Sequence, residues 1–300
     1  MRKKTLLIGM IVLMYSCGTP DLGTRWSQGP RLPFPISHFT TAGRYLIGGD
    51  STSVDYLNTN IYFDGTDYVL KSPLEIDSIP IPLKSSCSAF DGIRVFLFGG
   101  YAAGPTSFAF MYDPGTDSWS DIGPMPYSTY GCSAAHAAGE IHIMAGNGSK
   151  EHYVYIPSSD TFISKPPSLY THDYGCAVAV GTEIYLIGGE NDLVEVYDIN
   201  TNTWSEKARL GLWLRGHACV EYDGLIYVFG GEMENGEINT QVFRYDPATD
   251  VWEAVAEIPT PRAFLGAFVY GNTIHVVGGV DDNGNRTRVD EVFVPPSPIQ

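Results

Sequence analysis

Basic residues are scarce in this chain of 300 residues. It has 18 Lys and Arg against 34 Asp and Glu, which gives a formal net charge of −16 at pH 7. Such a surface repels phosphate backbones and anionic lipid headgroups. We therefore expect no nucleic-acid partner, and the acidity by itself bears on solubility rather than on function.

Helix signals and recognisable catalytic motifs are also missing. The chain has 33 Gly, 20 Pro and 19 Tyr, and its apolar runs are four to six residues long and end at Gly, Asp, Asn or Pro. This pattern is typical of many short strands and predicts an all-β protein. No serine-histidine-acid motif, phosphate-binding loop or metal-ligand spacing is visible, so the sequence predicts no catalytic residue, cofactor or metal site.

The first residues read as an export signal. Arg2-Lys3-Lys4 precedes an apolar stretch from Leu6 to Tyr15, which is short for a bilayer span. The following Ser16-Cys17-Gly18 resembles a bacterial lipoprotein signal, in which the cysteine becomes the lipidated first residue. We therefore predict a signal peptide over 1–16, lipidation of Cys17 and membrane contact through that anchor alone. An ordinary cleaved signal, giving a secreted protein, is the alternative.

A Gly-Gly dipeptide recurs after short apolar runs along the rest of the chain. Its second glycine falls at 49, 100, 189, 231 and 279, and a degenerate Ala145-Gly146 copy fills the gap. The intervals are 51, 46, 43, 42 and 48 residues. A period of this size indicates repeated β units rather than one unrepeated core.

A second signature recurs downstream of three of the Gly-Gly pairs, with a constant internal spacing. A tyrosine is followed seven residues later by a tryptophan in the pairs Tyr112 and Trp119, Tyr197 and Trp204, and Tyr245 and Trp252. An Asp comes directly after each tyrosine, and it predicts a hairpin turn that its own side chain caps. Each unit therefore reads as four strands: a small-residue strand, one ending in Gly-Gly, one ending at Tyr and one carrying Trp.

Four strands, Gly-Gly, Tyr-Asp and the spaced Trp together resemble the kelch repeat, over about residues 24–294. The resemblance implies a β-propeller in which each unit is one blade with its first strand innermost. The main rival, the WD-type repeat, would show Gly-His and Trp-Asp pairs, which are absent. The sixth unit lacks a Trp strand, and Thr24 to Gln28 supplies one. We predict a six-bladed propeller over 24–294 closed by this N-terminal strand, a linker over 17–23 and a tail over 295–300.

Four cysteines follow the repeat, at intervals of 45, 44 and 43 residues: Cys87, Cys132, Cys176 and Cys219. We assign them to one equivalent position on the inner strands of blades two to five. Equivalent positions of neighbouring blades are expected to lie too far apart for a disulfide. The cysteines are therefore predicted to be small buried residues, although unpaired thiols argue mildly against export.

A binding site is predicted where the inner strands begin. Alternate residues before the cysteine position share a face and gather polar and aromatic groups at one mouth of the propeller. The candidate ligand-binding residues are Tyr130, His172, Tyr174, Arg215, His217 and Arg262. Arginines at this place often line the ligand pocket of protein-binding kelch propellers, and this set would suit an acidic ligand. The alternative is that the arginines only connect neighbouring blades.

The sequence therefore predicts an exported binding module that presents a loop-lined propeller face to a protein or glycan ligand. Whether it is an enzyme stays uncertain, and a binding role is favoured. The alternative is a sugar-acid enzyme resembling the bacterial N-acetylneuraminate mutarotases, which are also exported kelch proteins. That alternative rests on fold-level analogy, together with an Arg and His mouth that would accommodate an acidic sugar.

Overall fold

A computed structural model of the protein describes residues 25–296. The predicted signal peptide, Cys17 and the linker up to residue 23 lie outside the described residues. Within the described range every regular element is a β-strand. No helix there has the length and apolar character that crossing a bilayer requires.

Residues 25–296 form six four-stranded antiparallel sheets, which are the blades of a propeller. The chain runs from the inner to the outer strand in each of the first five blades, and the last blade takes its outer strand from the N-terminus. The strands, in blade order, are Thr40–Ala42, Tyr45–Ile47, Asn60–Phe63 and Tyr68–Leu70; Cys87–Phe90, Val95–Phe98, Ala109–Asp113 and Ser118–Asp121; Ser133–Ala137, Glu140–Met144, His152–Ile156 and Thr161–Lys165; Cys176–Val180, Glu183–Ile187, Val194–Asp198 and Thr203–Glu206; Ala218–Tyr222, Leu225–Phe229, Gln241–Asp246 and Val251–Glu257; and Gly266–Tyr270, Thr273–Val277, Asp290–Phe293 and Trp26–Gln28. Two short pairs lie outside the blades: Glu75–Ile76 with Ile79–Pro80, and Leu214–Arg215 with Glu232–Met233.

The N-terminal strand closes the last blade, as predicted. Trp26 lies opposite Phe293 and Gln28 opposite Glu291 in an antiparallel ladder. The Trp26 ring packs on Phe293 and Phe229, with ring centroids 4.9 and 6.2 Å away. The chain then continues directly into blade 1, so the pairing that completes blade 6 also joins the two ends of the ring.

The core is divided among the contacts between blades. Among the described residues, each pair of neighbouring blades shares one apolar cluster. Between blades 2 and 3, for example, Phe96 and Phe98 pack against Ile141 and Ile143. Small residues on the inner strands, such as Ala89 and Ala135, allow the blades to converge at the axis.

The repeat signature has a direct structural explanation. In blade 5, Tyr245 lies opposite Trp252 across the outer hairpin, and the Tyr245 hydroxyl donates a hydrogen bond of 2.6 Å to Asp250. The predicted cap is present as well, since Asp246 accepts the amide N–H of Ala248. Trp252 donates its indole N–H to the carbonyl of Ala208, which follows blade 4. The tryptophan therefore attaches its own blade to the preceding one.

The prediction that the four cysteines are unpaired is wrong. Cys87 is bonded to Cys132 and Cys176 to Cys219, with Cα atoms 5.4 and 6.0 Å apart. One disulfide joins the inner strands of blades 2 and 3, and the other joins those of blades 4 and 5. The inner strands converge at the axis, so neighbouring strands come within disulfide range there.

The assumption that the cysteines share one register is also wrong, and this is why they pair. Cys87 and Cys176 lie opposite the residue that precedes Gly-Gly, whereas Ser133 and Ala218 hold that register in blades 3 and 5. Cys132 and Cys219 are therefore displaced by one residue, in opposite directions. A shift of one residue turns a side chain to the other face of its strand. Each disulfide thus joins a cysteine that faces forward to the next blade with one that faces back.

Candidate functional site

One mouth of the propeller is closed by a circle of backbone hydrogen bonds. One residue per blade donates its amide N–H to the carbonyl of its counterpart in the preceding blade, over 2.6 to 3.1 Å. All of these residues have left-handed backbone conformations, with φ between 51 and 61°. Such conformations cost free energy in residues other than glycine and persist where the surroundings enforce them. We call this circle the mouth ring: His38, Ser85, Gly131, Tyr174, Gly216 and Phe264.

The mouth ring differs from the predicted set of equivalent positions. Tyr174 is a ring member as expected, but blades 3 and 5 place Gly131 and Gly216 in the ring instead of Tyr130 and His217. The prediction treats the four cysteine positions as equivalent, but Cys132 and Cys219 are displaced in register, so the predicted positions in blades 3 and 5 differ by one residue from those in the structure.

The two ring glycines allow aromatic side chains to lie across the mouth. A Cβ atom at Gly131 would come within 3.3 Å of the Tyr174 ring, and one at Gly216 within 2.6 Å of Phe264. His38 in turn stacks on Phe264, with ring centroids 4.1 Å apart and planes inclined by 18°. Three rings from blades 1, 4 and 6 therefore cover the axis and present partly exposed faces.

Tyrosines extend this aromatic surface toward blade 2. Tyr130 contacts Tyr174 edge-on at 6.0 Å and Tyr101 at 5.3 Å, and Tyr101 stacks on Tyr56 at 6.3 Å. The Lys84 ammonium lies 5.1 Å from the centre of the Tyr56 ring. We call the whole set the aromatic track: His38, Phe264, Tyr174, Tyr130, Tyr101 and Tyr56. Aromatic groups combine large contact area with little conformational freedom to lose on binding.

A buried carboxylate organises the loops beside the track. Asp50 is 1% exposed and accepts two hydrogen bonds from Arg286, of 2.9 and 3.1 Å, and one from Ser37. Lys84 lies 3.6 Å away. Burial alone would raise the pKa of Asp50, but hydrogen bonds from His38, Arg286 and Ser37 outweigh it and hold the pKa well below its usual range. Asp50 therefore stays ionised and connects blades 6, 1 and 2 at the mouth.

Arg215 lies at the mouth but its charge is already neutralised. Its guanidinium bonds Glu232 at 3.2 Å and Glu190 at 3.1 Å, and a third of its side chain is exposed. Burial works against the charge, but the two carboxylates more than compensate and raise the pKa of Arg215. An anionic ligand at this place would have to compete with both glutamates.

Arg262 and His172 are structural. The Arg262 side chain is fully buried, and it donates to the carbonyls of Gly278, Val276 and Thr260 and to the carboxylate of Glu291. His172 occupies the corresponding place in blade 4. It is fully buried between the Gly188 carbonyl and Glu195, whose carboxylate is 2.8 Å away. Neither group reaches the mouth, so we leave both out of the candidate site.

His217 lines a narrow cavity of about 160 Å³ under the mouth ring. Its Nε2 bonds the Ile187 carbonyl at 3.1 Å, and its Nδ1 has no hydrogen-bond partner among the described residues. Burial lowers the pKa of His217 to about 4, so the ring is neutral at pH 7 and Nδ1 is an acceptor. Within residues 25–296, no three His, Cys, Asp or Glu side chains are placed to share a metal ion.

The structure therefore brings together Tyr130, Tyr174 and Arg215 of the predicted site and adds residues that the sequence did not single out. Lys84, Tyr101, Asp50 and Arg286 are the main additions. Tyr101, Asp50 and Arg286 lie in the loops that follow Gly-Gly in their blades, and loops on a rigid scaffold often carry recognition.

Comparison with known proteins supports the repeat assignment. A family model described as the KLHDC2/KLHL20/DRC7 Kelch-repeats domain matches residues 172–294, and one described as the Kelch motif matches residues 82–126. The chain is a kelch-repeat protein. Kelch propellers in general are protein-interaction modules.

Kelch relatives with curated descriptions match over much of the chain. Kelch-like protein 35 of Mus musculus is 28% identical over 61% of this chain and 25% of its own length. Kelch-like protein 15 of Homo sapiens is 26% identical over 76% of this chain and 44% of its own length. The chain thus spans between a quarter and just under half of these relatives.

A solved structure, that of YjhT, has a similar fold. It aligns with a TM-score of 0.76 over 91% of this chain and 99% of that chain, at 17% sequence identity. At this identity the similarity bears on the fold alone, and it agrees with the propeller described above.

Proposed function

We propose that this kelch-repeat protein is an exported binding module whose ligand docks on the aromatic track. The observation that carries the proposal is the continuous row of six partly exposed rings across one mouth, three of which belong to left-handed residues of the mouth ring. The hydrogen-bonded backbone circle positions three of the rings, those of His38, Tyr174 and Phe264, before any ligand arrives, which reduces the entropy that binding must overcome.

The disulfides support the export part of the proposal. Disulfides form and persist in oxidising compartments and are rare in reducing ones. The two inter-blade bonds therefore remove the objection that free thiols posed, and they agree with the export signal in the first residues. Lipidation of Cys17 stays a prediction, as does the choice between an envelope lipoprotein and a secreted protein.

The charge arrangement favours a protein ligand over an acidic small molecule. Arg215 and Arg286 are both paired with carboxylates, and Arg262 is buried. A sugar-acid enzyme, the alternative raised by the sequence, would need a free cation at the mouth, and Lys84 already lies against Asp50 and Tyr56. A glycan is the second candidate ligand, because aromatic faces also bind sugar rings.

A binding screen with matched variants tests this proposal. The full chain is screened against a glycan and sugar-acid array that includes N-acetylneuraminate, and against a displayed random-peptide library. Tyr101→Ala/Tyr130→Ala removes two rings of the track, and Tyr270→Ala removes an exposed ring at the opposite mouth. We expect the double variant to lose roughly thirtyfold or more in affinity, as central aromatic anchors do, and Tyr270→Ala to bind as the wild type.

Two results would contradict the proposal. One is a ligand that binds the double variant as well as the wild type. The other is no binding from either collection. Interconversion of N-acetylneuraminate anomers, followed by NMR, would instead establish the enzymatic alternative.

A further inference from the structure

A groove of about 980 Å³ opens beside the aromatic track, between the loops of blades 5 and 6. His38 and Phe264 line both this groove and the cavity beneath the mouth ring. The groove is therefore continuous with the track. We call it the blade 5/6 groove.

The groove has a partly apolar wall. Leu212, Met233, Ile238, Pro261 and Val280 line it, and each of them is partly exposed. These side chains come from four separate segments of the chain, which the propeller brings together. A surface of this kind accepts apolar side chains of a ligand.

The charges of the groove are predominantly negative. Glu232, Glu237, Asp281 and Asp282 line it, against Arg286 as its one lining Lys or Arg among the described residues. Arg286 makes a two-bonded contact with the buried Asp50, so its charge is compensated inside the protein. The neighbouring Arg215 is paired with Glu232 and Glu190, so the groove carboxylates without a cationic partner among the described residues are Glu237, Asp281 and Asp282.

We infer that the blade 5/6 groove binds a cationic segment of a protein partner, with an apolar side chain of that segment against the groove wall. The inference rests on the proposed function and specifies the chemistry of the ligand. Oppositely charged surfaces steer encounter and exclude partners of like charge, so the acidic groove selects Lys- and Arg-bearing segments. A cationic ligand has the opposite charge to the acidic ligand that the sequence analysis inferred from the arginines.

The test compares peptides that differ in charge alone. Synthetic peptides of about 12 residues, with the same Leu and Phe content and net charges of about +4, 0 and −4, are titrated into the full chain by calorimetry. Affinity is expected to fall in that order. The preference for the cationic peptide is expected to weaken between roughly 50 and 200 mM NaCl, because salt screens exposed charges.

Matched variants locate the effect. Glu237→Gln/Asp282→Asn neutralises two exposed carboxylates of the groove. Glu257→Gln/Asp223→Asn neutralises two exposed carboxylates of blade 5 that are not among the groove residues. Both variants change the net charge equally. We expect the groove variant to weaken binding of the cationic peptide roughly threefold to tenfold, the effect of two exposed charge pairs, and the control to change it little.

Equal weakening in both variants would overturn the inference, because general acidity would then explain the preference. Tighter binding of the anionic peptide would overturn it as well. If Tyr101→Ala/Tyr130→Ala abolishes binding while the groove variant does not weaken it, the proposed function stands and this inference fails. If neither variant affects binding, both fail.

Discussion

Every pair of neighbouring blades shares an apolar cluster, and at some of these contacts a further connection of one of two kinds is added. Blades 2 and 3, and blades 4 and 5, are linked by disulfides between their inner strands, at the axis. Blades 6 and 1, where the ring closes, are joined without a disulfide among the described residues. There the connection depends on Trp26–Gln28, which completes blade 6 and then leads into blade 1.

The closing contact relies on a buried polar network instead. Asp290 of blade 6 is 1% exposed and bonds His275 of its own blade and the Tyr68 hydroxyl of blade 1, each at 2.8 Å. Burial, with Asp290 adding to it, strongly raises the pKa of Tyr68, so the phenol stays protonated and donates. Such a network stabilises the interface while every member is satisfied, and it is costly when one member is lost.

The comparison shows that the same blade geometry tolerates different connections at different depths. The disulfides act near the axis, where inner strands are close. The closing strand acts at the periphery, where blades diverge. Trp26 also differs from its counterparts, because its indole N–H has no hydrogen-bond partner among the described residues, whereas Trp119, Trp204 and Trp252 each bond a carbonyl that follows the preceding blade.

The largest expected effect comes from removing a disulfide. Cys87→Ala/Cys132→Ala opens a link across 45 residues, for which chain-entropy arguments give a loss of about 4 kcal/mol in the free energy of unfolding. Chemical denaturation of the oxidised variant against the oxidised wild type measures it. A matching loss is expected for Cys176→Ala/Cys219→Ala, which spans 43 residues. Unchanged denaturation midpoints would show that the disulfides add no stability to the contacts between blades.

The closing strand is tested by Trp26. Trp26→Ala removes a partly buried ring that packs on Phe229 and Phe293, and it should cost about 2–3 kcal/mol of unfolding free energy, less than a fully buried tryptophan would.

Phenylalanine replacements sharpen the comparison with the other tryptophans. Both replacements remove the same part of the indole ring, but only Trp252→Phe also loses a hydrogen bond, the one to Ala208, so it is expected to cost about 1 kcal/mol more than Trp26→Phe. Equal losses in the two phenylalanine variants would contradict the distinction.

Blades 3 and 4 are joined by neither device and meet at a buried pair of histidines. His142 and His152 of blade 3 are fully buried, 2.9 Å apart, and pack on Tyr197 of blade 4. Burial, followed by neighbouring positive charge, lowers the pKa of each to about 3. The unfolded chain therefore takes up protons below about pH 6.5 that the folded protein does not, and stability falls as the pH drops toward 3.

Replacing the pair tests this pH dependence. His142→Phe/His152→Val should remove about 1–2 kcal/mol of the stability lost between pH 7 and pH 6. Thermal melts across this range provide the measurement. His217, whose pKa is lowered to about 4, remains in the variant and keeps part of the slope. A variant with the full wild-type slope would contradict the assignment.

The four-strand arrangement of each blade was predictable from the sequence because it depends on residues that are close together in the chain. Gly-Gly ends the second strand, and Tyr and Trp face each other across the outer hairpin, as in Tyr112 and Trp119. The closing strand followed from counting, since the sixth unit had no Trp strand of its own. These features depend on residues within a few positions of one another or on a simple period.

The cysteine pairing has a signal in the sequence. The four cysteines lie 13, 14, 13 and 12 residues before the second glycine of their own blades, so two of them are out of step by one. A shift of one residue along a strand places a side chain on the opposite face. When the cysteine positions are counted from the glycines of their own blades, Cys132 and Cys219 therefore lie on the opposite face from Cys87 and Cys176, and the cysteines of neighbouring blades face each other in pairs.

The sequence by itself determined the number of blades, their order and the closure, because each repeat encodes its own strands and turns. Tertiary structure decided which polar groups remain free at the mouth. Arg262 turns inward to backbone carbonyls, Arg215 meets Glu190 and Glu232, and six distant rings converge into one track. These outcomes depend on contacts between residues of different blades, which local spacing does not specify.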